Sequence, residues 1–185
     1  MIFLPNKYER YTAALRNYIQ RLALTKGITD ELILKFRKIY EFETVFLYHD
    51  KLPCDLKLLC SKILISAYSK LLDKNVHLDF SINLTENYIL NVRLFTVFLL
   101  KVLENSTEIK IYENLGFIIL KSKSKPKIKP IFLKQLKAFS FYESKTETTL
   151  IVIKAEKTSK TSVDTKREWD FSNPFSPVNL YFYNQ

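Results

Sequence analysis

Glycine is nearly absent: Gly27 and Gly116 are the only two in 185 residues. Phosphate-cradling loops need several, because their backbone approaches the ligand closely and adopts positive φ. A Walker loop and a dinucleotide fingerprint are therefore excluded. Histidine is as scarce, with His49 and His77 alone, which excludes His-rich metal sites and His–Cys zinc clusters. Two cysteines cannot make a disulfide scaffold. Cys54 and Cys60 lie six apart in what reads as one helix, on different faces, so a bond between them would be strained. No apolar run reaches the roughly 20 residues that span a bilayer. The start, Met1-Ile2-Phe3-Leu4-Pro5-Asn6, has neither a basic n-region nor a long apolar h-region. These absences predict a cytoplasmic chain with no membrane contact, no metal and no cofactor.

Arginine is also thin, 6 of the 29 basic residues. The charge is nevertheless +10, and it is uneven. Residues 1–92 hold 13 basic and 10 acidic side chains, and residues 93–185 hold 16 and 9. The excess gathers in Lys121, Lys123, Lys125, Lys127, Lys129, Lys134 and Lys137, with no acid between them. Such a run is either a solvated loop or a contact for a phosphate backbone or an acidic protein. A specific phosphate reader would favour the arginine fork over lysine.

What is abundant is apolar: 47% of the chain, enough for a sizeable core. Residues 7–24 set Tyr8, Tyr11, Leu15, Tyr18, Ile19 and Leu22 at helical spacing. A stop at Thr25-Lys26-Gly27 and an N-cap at Thr29-Asp30-Glu31 lead into a second helix over about 30–49. Pro53 interrupts, and a third helix is predicted from about 54 to 73. At Val76 the period changes to two, so Val76–Ile82 reads as a strand with His77 facing outward. Residues 87–105 read as a helix apolar nearly all round, hence buried. A hairpin is predicted around Glu113-Asn114-Leu115-Gly116, a short helix over Ile131–Phe141 and a strand over Thr148–Ala155. The predicted fold is α+β: a helical hairpin, then a two-layer α/β sandwich with a mixed, mostly antiparallel sheet. The units are 1–52, 53–157 and an aromatic-rich tail at 158–185. That tail, with Trp169, Phe171, Phe175, Tyr181, Phe182 and Tyr183, is either a docking peptide or folds back. Folding back is expected, because so many exposed aromatics invite aggregation.

The stretch Leu72-Asp73-Lys74-Asn75-Val76-His77-Leu78-Asp79-Phe80, followed by Phe98-Leu99-Leu100-Lys101-Val102-Leu103-Glu104-Asn105-Ser106, resembles the core of bacterial sensor histidine kinases. In that family a helical hairpin dimerises into a four-helix bundle and precedes a GHKL-type ATP-binding sandwich. The resemblance covers about residues 7–155. It implies that the second stretch matches the N-box helix, whose two asparagines, four apart, serve metal and nucleotide. The second position is Asn105, a vestigial nucleotide contact, but the first is Lys101. Where the family has Asp-x-Gly-x-Gly this chain has Lys121-Ser122-Lys123-Ser124-Lys125, and residues 121–145 lack the glycines of an ATP lid. The first helix holds no phosphoacceptor histidine. His49, in Tyr48-His49-Asp50-Lys51-Leu52-Pro53, faintly matches the family's His-Glu-x-x-x-Pro and is the candidate. Its plainer reading is a polar histidine at a helix end.

No Ser-His-Asp or Cys-His set is identifiable, and Glu41 and Glu43 point to different helix faces. The expectation is a non-catalytic, kinase-derived adapter or phosphotransfer-like protein, working through protein contacts as a homodimer of its N-terminal helices. The alternative is a nucleic-acid-binding protein that uses Lys121 to Lys137 with aromatic neighbours as stacking platforms.

Overall fold

The computed structural model describes residues 7–72, 77–104, 106–123, 130–131, 134, 140–145 and 148–182. Two helices open the chain, α1 (Lys7–Lys26) and α2 (Asp30–Phe46). Gly27, at φ +82°, ends the first in the left-handed region that glycine adopts at no steric cost. Thr29 then caps the second, its hydroxyl accepting from the Leu32 N–H at 3.3 Å. Asp30 and Glu31 in the first turn complement the helix dipole. The short link makes α1 and α2 antiparallel neighbours.

After the hairpin comes a short strand, β1 (Leu52–Asp55), and then α3 (Leu56–Leu72). Asp55 caps α3 by accepting from the Leu58 N–H at 2.8 Å. Strand β2 (Asp79–Asn83) and strand β3 (Asn87–Leu90) lead into α4 (Val92–Leu103). Asn91 starts α4 by accepting from the Leu94 N–H at 2.9 Å, and its amide donates to the Tyr48 carbonyl at 3.1 Å. One side chain thus caps α4 and ties down the exit of the hairpin. Strands β4 (Glu108–Asn114), β5 (Phe117–Ser122), β6 (Ser140–Lys145), β7 (Thr148–Lys154) and β8 (Glu156–Thr158) come next. Two short helices close the described chain, α5 (Lys166–Trp169) and α6 (Pro177–Phe182).

The strands form two sheets, β2-β4-β5-β7-β6 and β1-β3-β8. In the larger one only β2 and β4 are parallel. Alternation along β4, β5 and β7 turns Ile109, Ile111, Ile118, Leu120, Ile151 and Ile153 inward, into one core with α3 and α4. Every residue of α4 except Arg93 is buried, as an all-round apolar helix requires. The fold is therefore the expected α+β arrangement with a mixed, mostly antiparallel sheet.

Several boundaries differ from the sequence reading. Helix 87–105 begins as strand β3, because Asn87–Leu90 alternates and Asn91 caps the helix after it. The third helix starts at Leu56, so Cys54 lies in β1 and Cys60 in α3. The second helix stops at Phe46, which leaves His49 exposed in the loop beyond it. Most of the helix predicted at 131–141 falls outside the described residues, and Phe141 belongs to β6. The aromatic tail does fold back: Tyr181 and Phe182 on α6 are buried, and Trp169 and Phe175 pack against the core.

Candidate functional site

The two faces of α2 present different chemistry. The inner face carries charges where the helix meets α4 and the C-terminal helices. Glu41 accepts from Lys101 Nζ at 2.8 Å, from the Tyr181 hydroxyl at 2.8 Å and from Arg37 Nε at 3.3 Å. Arg37 also grips both oxygens of Glu104, at 2.8 and 3.1 Å, with its guanidinium 3.8 Å above the Tyr181 ring. Bidentate and stacked geometry of this kind is specific to arginine. Half a turn away, Glu43 is fully buried between Arg93 Nη2 at 2.7 Å and Arg16 Nε at 3.1 Å. Arg93 donates further to Thr44 Oγ1 and to the Tyr40 carbonyl, and is flanked by the rings of Tyr40 and Tyr48 at 4.0 and 4.6 Å. From α5, Glu168 accepts from the Tyr40 hydroxyl at 2.7 Å.

Five helices therefore meet in one ionic junction. Burial would raise the Glu41 carboxyl, but Lys101, Tyr181 and Arg37 outweigh it and hold the group below the usual glutamate range. Burial pushes the Tyr181 and Tyr40 phenols well above their ordinary value, and the charges of Glu41 and Glu168 add to it, so both stay donors. Each carboxylate here has a cation or a phenol against it. Such an arrangement fixes the hairpin on the sandwich and offers neither a free base nor a nucleophile. The thiols are equally inert: burial lifts Cys54 to about 12, and lifts Cys60 well above its ordinary value too. Among the described residues no three His, Cys, Asp or Glu side chains are grouped to hold a metal.

The outer face of the hairpin is apolar and open. Tyr8, Tyr11, Leu15, Tyr18 and Leu22 repeat at alternating steps of three and four on α1, and Ile39, Phe42 and Phe46 do so on α2. This is the spacing of a helix–helix seam. Tyr8, Tyr11 and Tyr18 are 61%, 63% and 61% exposed, and Phe46 is 49% exposed. A groove of about 730 Å³ runs between the helices, lined by Tyr8, Tyr11, Leu15, Ile39 and Phe42, with Lys7, Arg10 and Lys38 at its rim. Ile19, grouped with that stripe in the sequence reading, turns inward and is buried.

The residues singled out from sequence are scattered. His49 and His77 are both exposed and lie in different connections, after α2 and before β2, and His77 pairs with Asp79 at 3.1 Å. Lys121 and Lys123 sit at the end of β5, whereas Asn105, Lys125, Lys127 and Lys129 lie outside the described residues. Lys101 is buried in the junction. Sequence reasoning missed the junction itself. One signal was present: Glu43 falls on the stripe of Phe36 and Tyr40, where helical spacing puts the core.

No helix among the described residues is long and apolar enough to cross a membrane. No family model matches the chain, and no curated protein matches it. Solved structures do. The chain is similar to the histidine kinase AdeS of Acinetobacter baumannii at 13% identity and a TM-score of 0.44, over 82% of this chain and 97% of that one. It is similar to the cytoplasmic segment of the histidine kinase QseC at 11% identity and a TM-score of 0.39, over 83% and 97%. Identity this low transfers no residue's role to this chain.

Proposed function

We propose that this chain is a non-catalytic, kinase-derived adapter that pairs with a second copy of itself through the outer face of its helical hairpin. The observation that carries the reading is the open seam: Tyr8, Tyr11, Tyr18, Phe42 and Phe46 on two neighbouring helices are 38–63% exposed, with Leu15, Leu22 and Ile39 half-buried beside them. Large apolar patches on a folded chain mark interaction sites. A seam with steps of three and four on both helices suits a four-helix bundle, whose core is made of such positions. A two-fold axis would make the face self-complementary.

Support for a non-catalytic role comes from position 101. The resemblance implies a nucleotide or metal contact there, and the residue is a lysine buried against Glu41 and the Tyr181 ring. Glycine is absent from every stretch that the resemblance would make a phosphate loop. The junction supports a rigid adapter, since it binds α1, α2, α4, α5 and α6 together.

Mixing chains labelled with donor and acceptor dyes tests the pairing. Energy transfer should appear on mixing wild-type chains and vanish for a Tyr11→Glu, Phe42→Glu double variant. Calorimetric titration with ATP and Mg²⁺ tests the other half. No heat is expected, and saturable micromolar binding would overturn the non-catalytic reading.

A further inference from the structure

The outward face of the five-stranded sheet has an ordered pattern unrelated to the hairpin seam. Lys110 on β4 stands directly opposite Lys121 on β5. Like charges facing one another across a ladder are destabilising. Glu108 takes Lys110 at 2.8 Å and Lys123 at 2.6 Å, while the row of Lys121 continues through Leu150 on β7 to Glu143 on β6. Nearby Asp79 is engaged with His77. Two residues further along the strands, Tyr112, Ile119 and Val152 form a half-buried apolar row. The next row sets Phe117, 40% exposed, beside Lys154. There a cavity of about 610 Å³ opens, which Lys51 and Glu156 also line.

Lysine and aromatic side chains thus share one sheet face, Lys110 and Lys121 in one row, Tyr112 in the next and Phe117 with Lys154 in the third, about 6.6–6.8 Å apart along the strands. A single-stranded nucleic acid has the complementary alternation of phosphates and unpaired bases. A duplex does not, because its bases are stacked away and a flat sheet enters neither groove. An acidic helix would ask for one continuous apolar stripe instead. We propose that this sheet face binds single-stranded nucleic acid, with phosphates on Lys110, Lys121 and Lys154 and bases stacked on Tyr112 and Phe117. The scarcity of arginine goes with tolerance of sequence, since lysine lacks the planar fork that reads base edges in two directions. This site is independent of the hairpin, and a double variant in the outer seam leaves it intact.

Fluorescence anisotropy of a labelled oligothymidylate with the full chain is the test. Affinity should fall about 20-fold between 50 and 200 mM salt, as three phosphate contacts require. Phe117→Ala should weaken binding about tenfold through lost stacking. Lys121→Glu should weaken it at least as much and flatten the salt slope by roughly 0.7. Lys57→Glu, an equal charge change on α3, should have less than a twofold effect. Each variant should melt with wild-type cooperativity, since the substituted side chains are exposed. Absence of binding at 50 mM salt would overturn the proposal. So would equal losses from Lys121→Glu and Lys57→Glu with Phe117→Ala unchanged, which means diffuse charge. Competition by polyglutamate as strong as by unlabelled oligonucleotide would overturn it in favour of an acidic protein.

Discussion

Helix α2 buries two of its charges, Glu41 and Glu43, beside Phe36 and Tyr40, and leaves two of its aromatics, Phe42 and Phe46, in the open. Toward α4 it buries Glu41 and Glu43, and toward solvent it turns Phe42 and Phe46. These four positions depart from the ordinary amphipathic pattern that the rest of α2 follows, because an unpaired charge is costly to bury and apolar surface is favourably buried. The contrast is informative on both sides. The inner face tolerates charge because every carboxylate meets a partner, some from residues far away in sequence. The outer face keeps its aromatics because, on this account, a second chain covers them. A sealed ionic face and an open apolar one on the same helix separate internal attachment from external recognition.

That contrast can be broken by substitution, and the inner face should break hardest. Arg93→Ala removes the main partner of fully buried Glu43 and should cost about 3–5 kcal/mol, read from urea denaturation. A loss below about 1 kcal/mol would mean that the junction contributes little. Tyr181→Phe is gentler. It keeps the ring beneath Arg37 and deletes only the hydroxyl donated to Glu41, so about 1.5–2 kcal/mol should go. Its loss should shrink when Glu41→Gln is made as well, since the two groups act as a pair.

Acid should sharpen the same point. The Glu41 carboxyl is held below its ordinary value in the folded chain, so the unfolded chain binds more protons at mildly acidic pH. Its contribution to stability is therefore complete above the ordinary glutamate value, about 4.3, and is lost as pH falls further. Glu108, pulled down to about 2 by Lys110 and Lys123, acts in the same direction at the sheet edge. Urea midpoints measured from pH 6 down to pH 3 should decline below about pH 4.3, and less steeply in Glu41→Gln. The smallest effect is expected far from the hairpin. Leu115 sits in the β4–β5 turn at φ +50° and is 90% exposed, where a branched side chain is strained. Leu115→Asn should gain roughly 1 kcal/mol in the same assay, because asparagine tolerates that conformation.

Periodicity made much of this fold legible. The alternation of three and four along α1, the cap at Thr29 and the Leu115-Gly116 turn were all readable locally, whereas the strand read over Val76–Ile82 begins at Asp79 and leaves His77 before it. Strand β3 was not, because Asn87–Leu90 runs straight into an apolar helix and the two share one composition. Nor was the smaller sheet, whose β8 straddles the boundary drawn between the sandwich at 53–157 and the tail at 158–185. The junction escaped for a different reason. Lys101 and Tyr181 lie 60 and 140 residues from Glu41, and no local pattern announces a pairing at that distance. Glu41 and Glu43 meet different residues of α4, Lys101 and Arg93, and their burial depends on partners that only the folded chain brings together.

The central claim is that the outer hairpin face is covered by a second copy of the chain. Light scattering on the column eluate, at loads from about 1 to 100 µM, tests it most directly across the range where weak dimers dissociate. The account predicts a mass of twice the 21.9 kDa chain at the upper loads, and a single chain for Phe42→Glu with its melting unchanged. A single-chain mass for the wild type at every load would contradict it.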